Sequence, residues 1–247
     1  MNQVIHGDCL EVMPTLPDMV AGLVLTSPPY NMRTRIRNGQ YTKKEKSDNF
    51  SKKYSAFGDD LPIDEYYKFH KKVISECLRI APVSFINIQL VTGSKEAWFQ
   101  LIGDFAKSIK DIIVWDKGSG QPAMHGAVLN RGYELILILE SPATAGRAFA
   151  KSYFERGTMP DIWRLGRGGN GGAKGHGAVF PVSLAEKVIT NWSRSDETIL
   201  DPFAGTGTTA IACLNTNRDY ILIEKEKEYI DIINKRIAEH EQQLVIG

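Results

Sequence analysis

Cysteine is scarce in this 247-residue sequence, which contains only Cys9, Cys77 and Cys213. Their number is odd and their spacing is not that of metal ligands, which suits a protein of the reducing cytoplasm. The five histidines are also scattered, without the short spacing found in metal sites. We therefore expect a cytoplasmic protein without a bound metal.

Long apolar runs and a strong net charge are absent as well. No stretch approaches the length of a membrane-spanning helix, and the first residues lack the basic and apolar regions of a secretory signal. The formal net charge is +1, so attraction to a polyanion must come from local patches. A hydrophobic fraction of 43% is ordinary for a globular protein, and the length suits a single domain over residues 1–247.

Short apolar runs alternate along the chain with longer amphipathic stretches. Continuous apolar runs predict strands that are buried on both faces, and apolar stripes at helical spacing predict helices. The predicted strands are 20–26, 84–90, 109–117, 133–140, 197–203 and 219–225, and the predicted helices are 63–80, 182–192, 208–214 and 228–240. This alternation indicates an α/β fold with a mostly parallel sheet sandwiched by helices.

Two segments interrupt this alternation. Residues 33–57 are polar and basic, and they are too long for a simple connection within a compact domain. Residues 166–177 are rich in glycine and offer few side chains to a core. Neither segment indicates a second domain or an internal repeat.

The strongest cofactor signal is the sequence ILDPFAGTGTTAIA at 199–212. Its glycines allow a sharp turn and a close approach of the backbone to a ligand. The helix that begins at Thr208 supplies unpaired N–H groups and partial positive charge. Glu224 lies at the carboxyl end of the next predicted strand, where its carboxylate can accept hydrogen bonds from two neighbouring ribose hydroxyls. The loop therefore predicts an adenosine-containing cofactor.

Three other interpretations of the loop compete with this one. It can be a plain turn between a strand and a helix that uses glycine for close packing. A nucleoside-triphosphate loop is disfavoured, because no lysine follows the second glycine. A nicotinamide-dependent dehydrogenase is favoured by GTGTTA at 205–210 and by the position of Glu224, but too little chain follows to complete a dinucleotide fold.

A second signal is the sequence TSPPY at 26–30, which follows the first predicted strand. The two prolines end the strand in a rigid corner. Together with DPFAGTG at 201–207, this motif resembles those of the AdoMet-dependent DNA amino-methyltransferases, and the order of the two motifs is that of the beta class. The resemblance includes Gly7-Asp8 and the segment HGAVFPVSLAEKVI at 176–189.

The resemblance implies a circularly permuted methyltransferase fold with seven strands and AdoMet as the cofactor. It assigns Asp8 to the family's acidic residue that contacts adenine. The residues that it implies for cofactor binding are Asp8, Phe180, Asp201, Phe203, Ala204, Gly205, Thr206, Gly207 and Glu224. The residues that it implies for catalysis are Ser27, Pro28, Pro29 and Tyr30.

The chemistry of base amino groups explains these residue types. The exocyclic nitrogen of cytosine or adenine is a poor nucleophile because its lone pair is delocalised into the ring. Acceptors on both amino hydrogens, here Ser27 Oγ and the Pro28 carbonyl, free the lone pair for direct methyl transfer. Tyr30 is expected to stack on a base that has left the duplex. Methylation at cytosine carbon 5 uses a cysteine that follows proline, and no cysteine here does.

The target base stays open between two candidates. In the resembling family, serine at the first motif position is common among N4-cytosine enzymes and aspartate among N6-adenine enzymes. Either side chain can accept one amino hydrogen, so we favour N4 of cytosine and keep N6 of adenine as the alternative. RNA is a further possible substrate. The rivals outside this activity are the dehydrogenase and a non-catalytic nucleic-acid-binding module.

Basic residues directly follow the proline corner, and double-stranded DNA is the expected partner. Residues 141–175 occupy the family's position for target recognition, and their shortness predicts a short recognition site. Lys117 and Arg131 are expected either to reach DNA or to pair with nearby acids. The resemblance also allows a homodimer, a cognate restriction endonuclease, and a prokaryotic or phage origin. The predicted DNA contacts are Arg33, Arg35, Arg37, Lys43, Lys44, Lys46, Lys52 and Lys53 in a loop at about 33–57, with Arg164 and Arg167.

Overall fold

The computed structural model describes residues 2–32, 34–37, 40–43, 60–121, 126–166 and 180–246. Its strands are β1 Gln3–His6, β2 Leu23–Thr26, β3 Thr34–Arg37, β4 Gln40–Lys43, β5 Val83–Ile88, β6 Ile109–Gln121, β7 Arg131–Glu140, β8 Ile162–Arg164, β9 Thr198–Asp201 and β10 Asp219–Glu224. Its helices are α1 Cys9–Val12, α2 Ile63–Ile80, α3 Lys95–Asp104, α4 Val182–Trp192, α5 Thr208–Thr216 and α6 Lys227–Ile246, with a 3₁₀ turn at Met13–Thr15. Over these ranges, none of the helices has the length and apolar character to cross a membrane.

Eight strands form one sheet in the order β1-β10-β9-β2-β5-β7-β6-β8. Neighbouring strands are parallel except where β7 pairs with β5 and with β6. The predicted α/β fold with a mostly parallel sheet is therefore confirmed. The sheet has one strand more than the predicted seven, because β8 pairs with β6 and sets Trp163 opposite Trp115.

Side chains of the central strands alternate between two apolar layers. Leu23 and Leu25 of β2 pack on the face that α4, α5 and α6 cover, in a core that includes Trp192 and Ile233. Val24 faces the other side, where α1 and α2 pack, and α3 completes that layer. The helices thus cover both faces of the sheet, as the continuous apolar character of β2 predicts.

The basic segment that was expected to be a loop contains a strand pair. β3 and β4 are antiparallel, with Thr34 opposite Lys43 and Arg37 opposite Gln40. The prediction of a loop is therefore wrong for these two strands. The rest of this segment, and the glycine-rich stretch beyond Gly166, lie outside the described residues.

The direction of the strands determines where the two motifs lie. β1, β2, β5, β9 and β10 are parallel, so their carboxyl ends share one edge of the sheet. The TSPPY motif follows β2 and the DPFAGTG motif follows β9. The N–H of Gly7 also donates to the Glu224 carbonyl at 3.0 Å, which joins the ends of β1 and β10. This edge is where ligands bind in open α/β sheets.

The segment predicted for target recognition begins at the opposite edge. β7 is reversed, so Glu140 at its end pairs with Val83 at the start of β5. Lys151 then forms an ion pair with Glu197 at 2.5 Å and donates to the Gly22 carbonyl at 2.9 Å, both near strand starts. Among the described residues of this segment, those of β8 run back toward the edge that carries the motifs. A role of this segment in sequence recognition stays a prediction.

Candidate active site

A cleft opens at the edge of the sheet where the two motifs meet. All four residues predicted for catalysis line it, and so do all of those predicted for cofactor binding except Gly207. The structure therefore brings both groups together, while the roles assigned to them stay predictions. The lining residues are Gly7, Asp8, Cys9, Ser27, Pro28, Pro29, Tyr30, Met32, Phe69, Phe180, Asp201, Pro202, Phe203, Ala204, Gly205, Thr206, Thr208, Glu224, Lys225, Glu226 and Tyr229.

The turn of the glycine loop requires glycine. Gly207 has a φ of +81°, and a Cβ at this position would lie 3.0 Å from Ile233 Cγ1. Gly205 has a φ of +52°, which also lies in the left-handed region. Arg236 of α6 donates to the Thr206 carbonyl at 2.6 Å. The loop is thus held from its outer side while its inner side faces the cleft.

Glu224 presents a nearly buried carboxylate to the cleft. The Gly205 N–H donates to its Oε2 at 2.7 Å, and the Glu226 N–H donates to its Oε1 at 2.9 Å. Burial raises the pKa of Glu224, although these hydrogen bonds act in the opposite direction. A carboxylate has about four lone-pair positions, so each oxygen retains acceptor capacity for the hydroxyls of a ligand.

Asp201 lies deeper, and its carboxylate is engaged by the protein. Thr26 Oγ1 donates to Oδ1 at 2.8 Å, and Thr209 Oγ1 donates to Oδ2 at 2.5 Å. The Phe203 N–H also donates to Oδ1 at 3.1 Å. Asp201 therefore ties the end of β9 to β2 and α5 and shapes the floor of the cleft.

The pH dependence of stability is expected to report on Asp201. Burial raises its pKa from 3.8 to about 6, against the lowering effect of its three hydrogen bonds. The folded protein thus holds this proton more tightly than the unfolded chain, so the stabilisation is complete below about pH 4 and is lost as the pH rises through 6. We expect the unfolding free energy of the wild type to fall by about 3 kcal/mol relative to Asp201→Asn between these limits. Denaturant titrations across this range measure the difference, and parallel profiles would contradict the raised pKa.

Asp8 lies where the end of β1 meets the end of β10. Its Oδ1 accepts from the Leu10 N–H at 2.9 Å, and its Oδ2 accepts from Lys225 at 2.9 Å. Burial raises the pKa of Asp8, but the hydrogen bonds from Lys225 and Leu10 together lower it by a larger amount. The pKa of Asp8 therefore lies below its ordinary value. Next to it, burial raises the pKa of the Cys9 thiol to about 12. A protonated thiol of this kind is not a nucleophile.

The proline corner holds two carbonyl groups in different environments. Tyr66 Oη donates to the Pro29 carbonyl at 2.6 Å, and Trp98 Nε1 donates to Tyr66 Oη at 3.2 Å. Within the described part of the chain, the Pro28 carbonyl accepts no hydrogen bond. Ser27 and Pro28 both line the cleft. The corner therefore offers a hydroxyl and a carbonyl oxygen from adjacent residues.

A buried polar cluster, which the motifs do not indicate, lies beside Ser27. Tyr30 Oη lies 2.7 Å from Ser27 Oγ and donates to Glu134 Oε2 at 3.0 Å. Asn87 Nδ2 donates to the same Glu134 oxygen at 2.7 Å. Lys117 pairs with Glu134 Oε1 at 3.0 Å. Lys117 was expected either to reach DNA or to pair with a nearby acid, and in the structure it pairs with an acid.

Aromatic residues outside the motifs complete the wall of the cleft. Phe69 of α2 packs on Phe203 with ring centroids 6.1 Å apart, and Tyr229 of α6 also lines the cleft. Phe69 belongs to the apolar stripe that predicted α2, which makes it look like an ordinary core residue. Only the packing of α2 beside the glycine loop identifies it as part of the site.

The predicted DNA contacts are described only in part. Arg164 on β8 has a side chain that is 84% exposed and lies 3.7 Å from Asp116. Arg131 donates to the Leu90 carbonyl. Arg35, Arg37 and Lys43 belong to β3 and β4. Among the described side chains, no group of three or more His, Cys, Asp or Glu is placed to hold a metal. The other predicted contacts lie outside the described residues: Arg33, Lys44, Lys46, Lys52, Lys53 and Arg167.

Comparison with known proteins finds relatives along almost the whole chain. An N6/N4 methyltransferase family model, described as DNA methylase, matches residues 21–235. The type II methyltransferase M.HinfI of Haemophilus influenzae is 28% identical over 257 residues, which cover 97% of this chain and 69% of that protein. The type II methyltransferase M.BglII of Bacillus subtilis is 25% identical over 265 residues, which cover 94% of this chain and 68% of that protein.

Solved structures share the fold. PvuII DNA methyltransferase, which its name describes as cytosine-N4-specific, matches with a TM-score of 0.71 at 18% identity, over 95% of this chain and 86% of that one. The complex of M1.HpyAVI with SAM matches with a TM-score of 0.62 at 22% identity, over 96% of this chain and 100% of that one. At these identities, the likeness establishes the architecture alone.

Proposed function

Because the chain belongs to the N6/N4 DNA methylase family, we propose that it moves the methyl group of AdoMet to the exocyclic amino nitrogen of a base flipped out of double-stranded DNA. N4 of cytosine is the favoured target. One observation carries the proposal: Ser27 and Pro28, which would supply a hydroxyl and a carbonyl acceptor, line the same cleft as the glycine loop and Glu224. A group that activates an amino nitrogen thus shares a cleft with a group suited to an adenosine ligand.

The glycine loop and its neighbours fit AdoMet. Glu224 retains acceptor positions for the two ribose hydroxyls, and Gly205 keeps the backbone close to a ligand. Phe203 and Phe180 supply apolar surface in the cleft, and Asp8 is an ionised acceptor at its rim. When bound, AdoMet supplies an electrophilic methyl group on its sulfonium.

The proline corner would prepare the amino nitrogen for attack. Ser27 Oγ and the Pro28 carbonyl accept one amino hydrogen each, which draws electron density onto the nitrogen. Neither acceptor has to reorganise, because the prolines fix the backbone and Tyr66 holds the Pro29 carbonyl. Tyr30 lines the cleft, and we assign its ring to contact with the flipped base.

The choice between cytosine and adenine rests on Ser27. A serine hydroxyl is shorter than an aspartate carboxylate and carries no charge, and the resembling family uses it mostly with cytosine. The cytosine-N4 specificity of PvuII methyltransferase belongs to that protein. We therefore keep N6 of adenine as the alternative.

DNA contact by the basic segment is expected to appear in the salt dependence of binding. Each lysine that neutralises a phosphate adds about one unit to the slope of log affinity against log salt. We expect replacement of Lys43, Lys44 and Lys46 by glutamine to reduce this slope by about two to three units. Titration of a labelled duplex at several salt concentrations measures it. An unchanged slope would remove these residues from the DNA interface.

We propose further partners by analogy with the relatives. The two relatives are named type II methyltransferases, and on this basis we assign the chain to a bacterial restriction-modification system with a companion endonuclease, in the cytoplasm. A homodimer stays a prediction.

The test of the proposed function is methyl transfer to DNA. The protein is incubated with bacterial genomic duplex DNA and methyl-labelled AdoMet, and the nucleosides are then analysed by mass spectrometry. Label in N4-methylcytosine or N6-methyladenine supports the proposal and identifies the base. Label confined to 5-methylcytosine, or none, would refute it. DNA binding without transfer would favour the non-catalytic module, and NADH binding without AdoMet binding would favour the dehydrogenase.

A further inference from the structure

We propose that Glu134, acting through Tyr30, fixes the direction of the Ser27 hydroxyl, so that Ser27 Oγ can only accept a hydrogen bond from the base. This inference rests on the proposed function, because it concerns how the cleft would recognise the amino group of the flipped base. It makes Glu134 a positioning residue and the site selective for an amino group over a carbonyl oxygen. We call Ser27, Tyr30 and Glu134 the hydroxyl chain.

The hydroxyl chain runs from the cleft into the sheet. Ser27 Oγ lies 2.7 Å from Tyr30 Oη, and Tyr30 Oη lies 3.0 Å from Glu134 Oε2. Tyr30 is 6% exposed and Glu134 is 9% exposed. The protein therefore supplies the hydrogen-bond partners of both groups in place of bulk water.

Lys117 and Asn87 determine which way the protons point. Lys117 Nζ lies 3.0 Å from Glu134 Oε1 in a buried ion pair, and Asn87 Nδ2 lies 2.7 Å from Glu134 Oε2. An ionised carboxylate only accepts hydrogen bonds, and a reversed Asn87 amide would set its oxygen against that carboxylate. Glu134 therefore accepts from each of these neighbours, and from Tyr30 as well.

The direction of the remaining hydrogen bonds follows from the number of protons. Tyr30 has one hydroxyl proton and uses it toward Glu134, so Tyr30 Oη accepts from Ser27. The Ser27 hydroxyl therefore donates its hydrogen bond to Tyr30 Oη, and the lone pairs of Ser27 Oγ face the cleft. Asn87 Nδ2 lies 2.9 Å from Tyr30 Oη and 3.4 Å from Ser27 Oγ, so Asn87 adds a donor and no acceptor beside these hydroxyls.

The fixed direction has a consequence for selectivity. A freely rotating hydroxyl can accept from an amino group or donate to a carbonyl oxygen. A deaminated base carries a carbonyl oxygen in place of the amino group, as uracil does for cytosine and hypoxanthine for adenine. With the hydroxyl chain in place, that oxygen meets two acceptors, Ser27 Oγ and the Pro28 carbonyl. Such a mismatch is a means of rejecting the wrong ligand.

The experiment measures this preference in Glu134→Gln and Tyr30→Phe. The recognition sequence is first mapped from methylated DNA. Duplexes with the target base or with its deaminated counterpart are then titrated with each protein in the presence of S-adenosylhomocysteine. The ratio of the two dissociation constants is compared between proteins, which cancels the cost of flipping each base.

We expect the wild type to favour the amino base by roughly 10- to 100-fold. In Tyr30→Phe, the Ser27 hydroxyl loses its acceptor and can donate into the cleft, so this variant should lose most of the preference. In Glu134→Gln, the glutamine amide can donate to Tyr30 Oη, so that Tyr30 donates to Ser27 and Ser27 donates into the cleft. This variant should therefore also bind the deaminated duplex more tightly than the wild type does. In the double variant, Glu134→Gln should change the ratio of Tyr30→Phe by less than about twofold, because Glu134 acts through Tyr30.

Glu140→Gln is the matched control. Glu140 lies on the same strand as Glu134 and also has a buried ion pair, with Lys110 at 3.3 Å, but at the opposite edge of the sheet. Both glutamine variants leave a buried lysine without its carboxylate, so both lose stability. Only Glu134→Gln should change the base preference. Tyr30→Phe alters no charge and keeps the test valid if Glu134→Gln fails to fold.

The two possible failures are distinguishable. If the wild type methylates DNA but Tyr30→Phe and Glu134→Gln keep the wild-type ratio, the inference is overturned and the proposed function stands. If the wild type methylates no DNA, the proposed function fails and the inference fails with it.

Discussion

Ser27→Ala is expected to lower the rate constant of methyl transfer by about 100- to 1,000-fold while the affinity for AdoMet changes by less than about twofold. The variant removes one of two fixed acceptors, so the amino nitrogen keeps more of its conjugation with the ring. The described hydrogen-bond partners of Ser27 are Tyr30 and Asn87, and neither belongs to the glycine loop. The loss should therefore appear in single-turnover rates and not in calorimetric titration with AdoMet.

Ser84→Ala is the matched control for this variant. Ser84 is a buried serine near the start of β5, and its position opposite Leu139 is near the edge away from the cleft. Its hydroxyl has no partner among the described residues. We expect this control to retain the wild-type rate. If Ser27→Ala lost AdoMet binding along with activity, the role of Ser27 as an acceptor for the base would be wrong.

Glu224→Ala is expected to show the opposite pattern and raise the dissociation constant of AdoMet by about 100-fold or more. The variant removes the acceptors assigned to the ribose hydroxyls. It also leaves the N–H groups of Gly205 and Glu226 without their carboxylate partner. The loop that approaches the cofactor would then lose both a ligand contact and its own support. Calorimetric titration with AdoMet measures the change without any need for DNA.

Glu197→Ala provides the comparison for Glu224. The Glu197 carboxylate also accepts from a backbone N–H, that of Arg194 at 3.0 Å, and it pairs with Lys151. It precedes β9 and so lies at the edge opposite the cleft. We expect this variant to lose stability and keep its affinity for AdoMet. Equal affinities for Glu224→Ala and the wild type would exclude Glu224 from the cofactor site.

The two halves of the cleft could be predicted because each is a local pattern at the end of a strand. An apolar run followed by a proline corner or by glycines marks the point where the chain leaves the sheet. Once the strands are parallel, those points must share an edge. Ser27 and Glu224 were therefore predictable neighbours from sequence, although 197 positions separate them.

Glu134 and Asn87 could not be found in the same way. Each is a polar residue in a mostly apolar strand, a pattern that also fits a strand end or a solvent-facing position. Only the antiparallel pairing of β7 with β5 and β6 brings Glu134 close to Asn87 and Lys117. A lone acid or amide in a continuous apolar run is the one signal that the sequence offered.

Short elements were also missed, for a related reason. β1 has four residues and β8 has three, which is too few for a periodic pattern. Both are edge strands of the sheet, and their stability comes from pairing with β10 and β6. The β3 and β4 pair likewise forms within a segment whose charge indicated a loop.

The pairing of β1 with β10 also bears on when the cleft can form during synthesis of the chain. β10 is made last among the strands and pairs on one side with β9 and on the other with β1. A nascent chain that lacks β10 therefore also lacks Glu224 and one wall of the cleft. Until β10 is in place, Asp8 lacks its partner Lys225, and the Gly7 N–H at the end of β1 lacks the Glu224 carbonyl to which it donates. We therefore expect the cleft to stay incomplete until β10 has been synthesised and has paired with both neighbours.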